Sequence, residues 1–249
     1  MTSLLIMSTN AMNQILMNEF APKGSLRVGI NLGNPLLAGL DQNKKPQGIS
    51  VDLAHELAKQ LKITPSFTTF QKAGDTVDAI KNNSVDLVFV AIDPVRGADI
   101  DYSPPYIQIE GAYLIQSKSP ITENKQVDQK DIRVVVGKGS AYDLFLSREL
   151  KHAKIIRAAN SQAVVDQFIA ENLEVAAGVK QQLEADAKRY PDLRMLPGRF
   201  MVINQAMGVP KGRPIAVQFI SNFIEEMKSS GFIQEAITRH HVEGIKVAE

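Results

Sequence analysis

The chain predicts an α/β fold of two lobes joined by two crossing strands. Residues 24–113 and 131–178 each read as a β-α-β-α-β unit, the pattern of a parallel sheet with right-handed crossovers. The helical stretch after Gly208 has no sheet of its own and must pack on an existing lobe, so the chain passes between the lobes twice. The expected division is 1–24 as an N-terminal extension with a short helix, 25–114 plus 206–249 as lobe 1, and 115–205 as lobe 2.

In the extension, Met12, Ile15, Leu16 and Phe20 give a short amphipathic helix. Residues 25–31 (SLRVGIN) alternate Leu26, Val28 and Ile30 with Arg27 and Gly29, a first strand, and Gly33-Asn34-Pro35 turns it. Residues 39–47 are polar and read as a hairpin or loop. A helix follows over 49–61, with Leu53, Leu57 and Leu61 on one face, Ser50 as N-cap and Asp52 at the positive end of the dipole. A strand at 66–70, a helix at 75–82 capped by Asp75, and a third strand at 85–92 complete the first unit. Residues 109–117 form a long strand and 118–131 a polar loop. The second unit runs strand 132–137, helix 142–150, strand 154–158, helix 161–171 and strand 173–178. A helix at 180–189, extended segments at 195–196 and 201–209, an amphipathic helix at 214–227 and a shorter one to about His240 close the chain. The crossing strands are expected near 113–117 and 203–207.

Composition excludes several classes. Net charge is +1, so no field favours nucleic acid or an anionic membrane. There are no cysteines, which removes disulfides, thiolate nucleophiles and cysteine metal sites. No run approaches the roughly 18 apolar residues of a bilayer span. The patch Leu4-Leu5-Ile6-Met7 has no basic residue before it and is broken by Ser8, Thr9 and Asn10. That is not a secretory signal, so a cytoplasmic location is expected, with a periplasmic one as the alternative. The four histidines lack metal-ligand spacing, there is no Gly-x-Ser-x-Gly elbow and no P-loop, and neither metal nor cofactor is expected.

The segment VDLVFVAIDPVRGADIDYSPPY, residues 85–106, carries the chemistry. A buried strand ends in Ala91-Ile92, and Asp93-Pro94-Val95-Arg96 follows. Guanidinium offers a planar fork of donors that matches a carboxylate. Open α/β sheets bind ligands at the carboxyl ends of their strands. The alternative for Arg96 is a surface ion pair with Asp93, Asp99 or Asp101. A second place is Gly137-Lys138-Gly139-Ser140-Ala141-Tyr142, between a strand and a helix, where free N–H groups and a positive dipole end suit an anion. There the alternative is that Ser140 or Asp143 only caps the helix.

This pattern resembles family 3 solute-binding proteins, the amino-acid receptors of ABC importers. Asp93-Pro94-Val95-Arg96 stands where that family has Thr-x-x-Arg, and Tyr102-Ser103-Pro104-Pro105-Tyr106 matches its Phe-Ser-x-Pro-Tyr run. The resemblance covers the chain beyond about residue 24 and implies a type II periplasmic-binding-protein fold with two hinge strands. It implies a solute-binding protein that closes on a small carboxylate-bearing, amino-acid-like ligand, with an ABC-transporter permease as a possible partner. Arg96, Gly139, Ser140 and Ala141 would hold the carboxylate, while Asn31, Asn34, Ala91, Asp93 and Gln205 would complete the site. One departure is plain: no acidic residue follows the last lobe-2 strand to meet a ligand ammonium, and Lys180 stands there. Two readings stay open: Asp93 supplies the missing counter-charge, the expected case, or the ligand is not a plain α-amino acid; for Lys180 the alternative is a solvated helix residue. The rival reading is a dehydratase-like lyase of the same fold, acting on a prephenate- or arogenate-like acid, with Asp93 or Glu110 as general acid. A sensor module is a third class.

Overall fold

The structure, a computed structural model, describes residues 9–249; the apolar patch Leu4–Met7 lies outside them. Helix α1 (Thr9–Phe20) leads into β1 (Leu26–Asn31), a hairpin of β2 (Gly39–Leu40) and β3 (Pro46–Gln47), α2 (Ile49–Leu61), β4 (Pro65–Phe70), α3 (Ala73–Lys81) and β5 (Leu87–Ala91). Strands β6 (Ile100–Tyr102) and β7 (Ile107–Gln116) follow, then β8 (Arg133–Gly137), α4 (Ala141–Glu149), β9 (Lys154–Ala158), α5 (Val164–Ala170), β10 (Val175–Val179) and α6 (Lys180–Arg189). The chain continues through β11 (Leu193–Met195), β12 (Met201–Pro210), α7 (Pro214–Ser229), α8 (Phe232–Arg239) and β13 (Lys246–Val247). No helix among the described residues is long and apolar enough to cross a membrane.

One sheet runs β4-β1-β5-β12-β7-β10-β8-β9. Strands β4, β1 and β5 are mutually parallel, as are β10, β8 and β9. Each parallel half is joined antiparallel to a crossing strand, β5 to β12 and β10 to β7. Parallel strands buried on both faces are near-continuously apolar, and every residue of β5 (LVFVA) and β10 (VAAGV) is buried. One cluster with Val77, Ile80, Val88 and Ile100 lies under the first half, another with Leu114, Val135, Phe168 and Leu183 under the second. The crossing pair is Ile107–Gly111 against Met201–Gln205. The first crossing therefore falls upstream of the expected 113–117, because Tyr113 and Leu114 already pair with Ala177 and Ala176 of β10.

Two caps differ from expectation. Ser50 lies inside α2 rather than capping it; the N-cap is Gly48 at φ 120°, and the Ser50 hydroxyl is 3.2 Å from the Tyr106 hydroxyl. Helix α3 starts two residues before Asp75, with Lys72 as its N-cap. Helix α1 is fixed to α7: the buried Phe20 ring meets Phe219 edge-on at 5.8 Å, and the Glu19 carboxylate accepts the Ala216 N–H at 2.6 Å. That N–H lies in the first turn of α7, where an acceptor relieves one of the orphan donors.

At the start of β5, Asp86 is fully buried and takes Arg27 Nε at 2.7 Å and Arg213 Nη1 at 3.0 Å. These contacts tie β1 and α7 to the central strand.

Candidate functional site

Two sets of parallel strands end at the same place. The carboxyl ends of β1, β4 and β5 deliver Asn31 and Asn34, Lys72 and Ala73, and Ala91 and Arg96. The carboxyl ends of β8, β9 and β10 deliver Lys138, Ser140 and Ala141, Ser161, and Val179 from the other side. With Gln205 on the crossing strand β12, these residues enclose a cavity of about 40 Å³ between the lobes. A wider groove of about 350 Å³, bordered by Gly74, Asp75 and Gly139, adjoins it.

Arg96 is 3% exposed. Its Nη1 donates to the Ala91 carbonyl at 3.0 Å and its Nη2 to the Gly139 carbonyl at 2.9 Å, so it bridges the lobes. Burial pulls its pKa below the ordinary guanidinium value, while Tyr102 and Asp93 oppose that shift. It forms no ion pair among the described residues, which sets aside the surface-pair alternative with Asp93, Asp99 or Asp101. A guanidinium remains charged even when buried. The nearby Tyr102 hydroxyl is buried without a hydrogen-bond partner, and burial pushes its pKa up to about 12.

On the second lobe the Ser140 hydroxyl caps α4 by accepting the Asp143 N–H at 3.0 Å. Asp143 in turn accepts the Gly139 N–H at 2.9 Å and pairs with Arg157 at 3.0 Å. The cap and the cavity are the same place: Ser140 and Ala141 line it while Ser140 starts the helix. The N–H of Ala141, at the first helical position, has no intrahelical acceptor. Gly139 has φ 74°, and a Cβ on it would lie 3.3 Å from the Gly74 Cα across the cleft. Only glycine combines that backbone with that approach. Gly139→Ala is expected to hinder closure, read as a smaller ligand-induced compaction in small-angle scattering than the parent shows.

Of the residues expected at the site, Asn31, Asn34, Ala91, Arg96, Ser140, Ala141 and Gln205 meet at the cavity, and Gly139 at its edge. Asp93 and Lys180 do not. Asp93 is 4% exposed, accepts the Val95 N–H at 2.8 Å in a local turn, and pairs with Arg148 of α4 at 2.9 Å. Its carboxylate thus ties the lobes together and does not line the cavity. Lys180 pairs with Glu110 at 3.3 Å, outside the cavity. Lys72 and Ser161 were not anticipated; both follow the carboxyl ends of strands, β4 and β9, which is the signal that could have found them.

Glu110 also receives Arg199 at 2.9 Å, and hydrogen bonds from Arg199 and Lys180 outweigh burial to hold its pKa below 4.5. A depressed carboxylate stabilises the fold above its unfolded value, and that contribution is lost as pH falls through the folded one. Glu110→Gln is therefore expected to lose stability at neutral pH, with the deficit shrinking below about pH 4.5 in acid titrations followed by circular dichroism.

Strand order and cleft agree with comparisons to known proteins. The family model of bacterial extracellular solute-binding proteins, family 3, matches residues 26–243. The chain belongs to that family. Among curated relatives, the amino-acid-binding protein AabA of Dichelobacter nodosus is 22% identical, over 80% of this chain and 81% of its own length. An L-arginine-binding protein of Pseudomonas aeruginosa is 21% identical, over 77% of this chain and 72% of its own. The crystal structure of a solute receptor for L-cysteine of Neisseria gonorrhoeae superposes with a TM-score of 0.79 at 24% identity, covering 94% of this family 3 protein and 99% of the receptor. The fold is thus the two-lobed type II periplasmic-binding-protein architecture. The family is described as extracellular, and the cytoplasmic location expected from the N-terminal patch finds no support there.

Proposed function

We propose that this family 3 protein closes on a small, carboxylate-bearing, amino-acid-like solute without transforming it. The observation that carries the reading is the buried Arg96, unpaired by any carboxylate among the described residues and facing the start of α4 across the cavity. A desolvated guanidinium without an acid partner is stable where an anionic ligand completes it. Arg96, Ser140, Ala141 and the Gly139 turn hold the carboxylate, while Asn31, Asn34, Ala91 and Gln205 read the rest of the solute. Relatives named for binding amino acids and L-arginine support the solute class. In this reading lobe 1 is the chain from residue 25 into the first part of β7 plus 206–249, lobe 2 begins by Ala112, where β7 pairs with β10, rather than at 115, and the hinge lies in the paired strands β7 and β12. Delivery of the solute to an ABC-transporter permease belongs to the same reading and rests on the family resemblance.

A dehydratase needs a carboxylic acid that can give up a proton in the cleft. Both candidates are otherwise engaged: Glu110 is held ionised by Arg199 and Lys180, and Asp93 is bound to Arg148. Incubation with prephenate- and arogenate-like acids is expected to leave them unchanged; any turnover would overthrow the non-catalytic reading. A thermal-shift screen over amino acids, organic acids and polyamines should give its largest stabilisation with a carboxylate-bearing compound and none with a polyamine.

Asp93 has a separate part. Asp93→Asn is expected to weaken every ligand alike, by about fivefold, because it loosens the tie to the half-exposed Arg148. A selective loss of ammonium-bearing ligands in calorimetry would restore Asp93 as their counter-charge.

A further inference from the structure

The charges around the cavity are one-sided. Arg96, Lys72 and Lys138 line it, and no aspartate or glutamate does so among the described residues. Three helices also begin there, since Ala73 opens α3, Ala141 opens α4, and Val179 is the N-cap of α6. Each presents the positive end of its dipole to the same space. Of the nearest carboxylates, Asp93 is paired with Arg148, Asp143 with Arg157 and the Gly139 N–H, and Asp75, at the edge of the adjoining groove, with Lys72 at 3.6 Å; the exposed Asp78 borders that groove but not the cavity. Lys138 is exposed and has no ion-pair partner among the described residues.

We infer that the solute is a small acid of net negative charge, with a second acidic group or no ammonium at all. The inference rests on the reading of this cavity as the solute site. A ligand ammonium here meets the unpaired cations Arg96 and Lys138 and three helix N-termini, with Lys72 already answered by Asp75 and only neutral acceptors lining the cavity, Asn34 and Gln205 among them, to receive it. Burying it without a counter-charge is costly. A second carboxylate instead meets Lys138 from the second lobe, with Lys72 and its Asp75 partner opposite it. The positive field also favours capture of anions over long range, so affinity should fall as salt rises.

Calorimetry on the full chain with succinate, L-glutamate, L-alanine and L-arginine tests this, each repeated with Arg96→Ala and Lys138→Gln. Succinate or L-glutamate should bind tightest, with L-arginine at least about a hundredfold weaker on the strength of an uncompensated buried charge. Succinate ahead of L-glutamate would identify an acid without an ammonium; the reverse order, an acidic amino acid. Lys138→Gln should weaken the dicarboxylates roughly two- to fivefold, as befits an exposed charge, and L-alanine by less. L-arginine or L-alanine binding tightest in an Arg96-dependent manner would overturn the charge inference and leave the solute site standing. Binding indifferent to Arg96→Ala would overturn the site itself, and no binding by any of the four would overturn both.

Discussion

Arg96→Ala is expected to weaken solute binding by about 2 kcal/mol or more, a factor of roughly thirty, as measured by calorimetry. The side chain is buried, lines the cavity and, among the described residues, is the one guanidinium that does so. Truncation removes the charge-assisted fork and leaves the ligand carboxylate in a desolvated space. Arg96 also donates to the carbonyls of Ala91 and Gly139, so its loss frees one contact between the lobes. Arg96→Lys separates the two effects. It keeps the charge but cannot supply the planar fork, and it should recover only part of the affinity. Equal binding by parent and alanine variant would reduce Arg96 to a structural tie and remove the basis of the proposed function.

Asp86→Ala should cost stability without touching the cleft. Asp86 is fully buried and answers two arginines whose side chains are 22% and 16% exposed. Removing a buried partner strands the remaining charges, at a cost of about 3 kcal/mol. For a chain of this size that lowers Tm by roughly 6–12 °C. Differential scanning calorimetry reads the shift. A Tm within about 2 °C of the parent would mean that water takes over the contacts of Arg27 and Arg213.

Local patterns made much of the fold legible. Helices α2 and α6 and strand β9 fall where hydrophobic period and turn residues put them, and β5 and β10 announce themselves as short apolar runs. Strands β6 and β13 escaped because two or three residues carry no period; tertiary pairing to β12 and β7 creates them. The site was legible wherever a residue follows a strand's carboxyl end, as Asn34, Arg96 and Ser140 do. It was illegible where a distant partner decides the role. Arg148 lies 55 residues from Asp93, and Glu110 lies 70 from Lys180; nothing local in either stretch signals the pairing. Charge type at a strand end suggested a ligand contact in both cases, and a long-range ion pair took the group instead.

The exchange of neighbours at β7 and β12 has a bearing on how the chain is made. Strands β8, β9 and β10 and the latter half of β7 find their partners between residues 111 and 179. Strand β5 waits for residues 205–208, and Asp86 waits for Arg213. During synthesis from the N-terminus, the inner lobe can therefore assemble on the ribosome while the outer one still shows an uncovered strand edge. Domains generally fold as units as they emerge, and unpaired strand edges are prone to aggregate. The vulnerable interval runs from the emergence of β5 to that of β12, and a chaperone that shields newly made chains would find its substrate there.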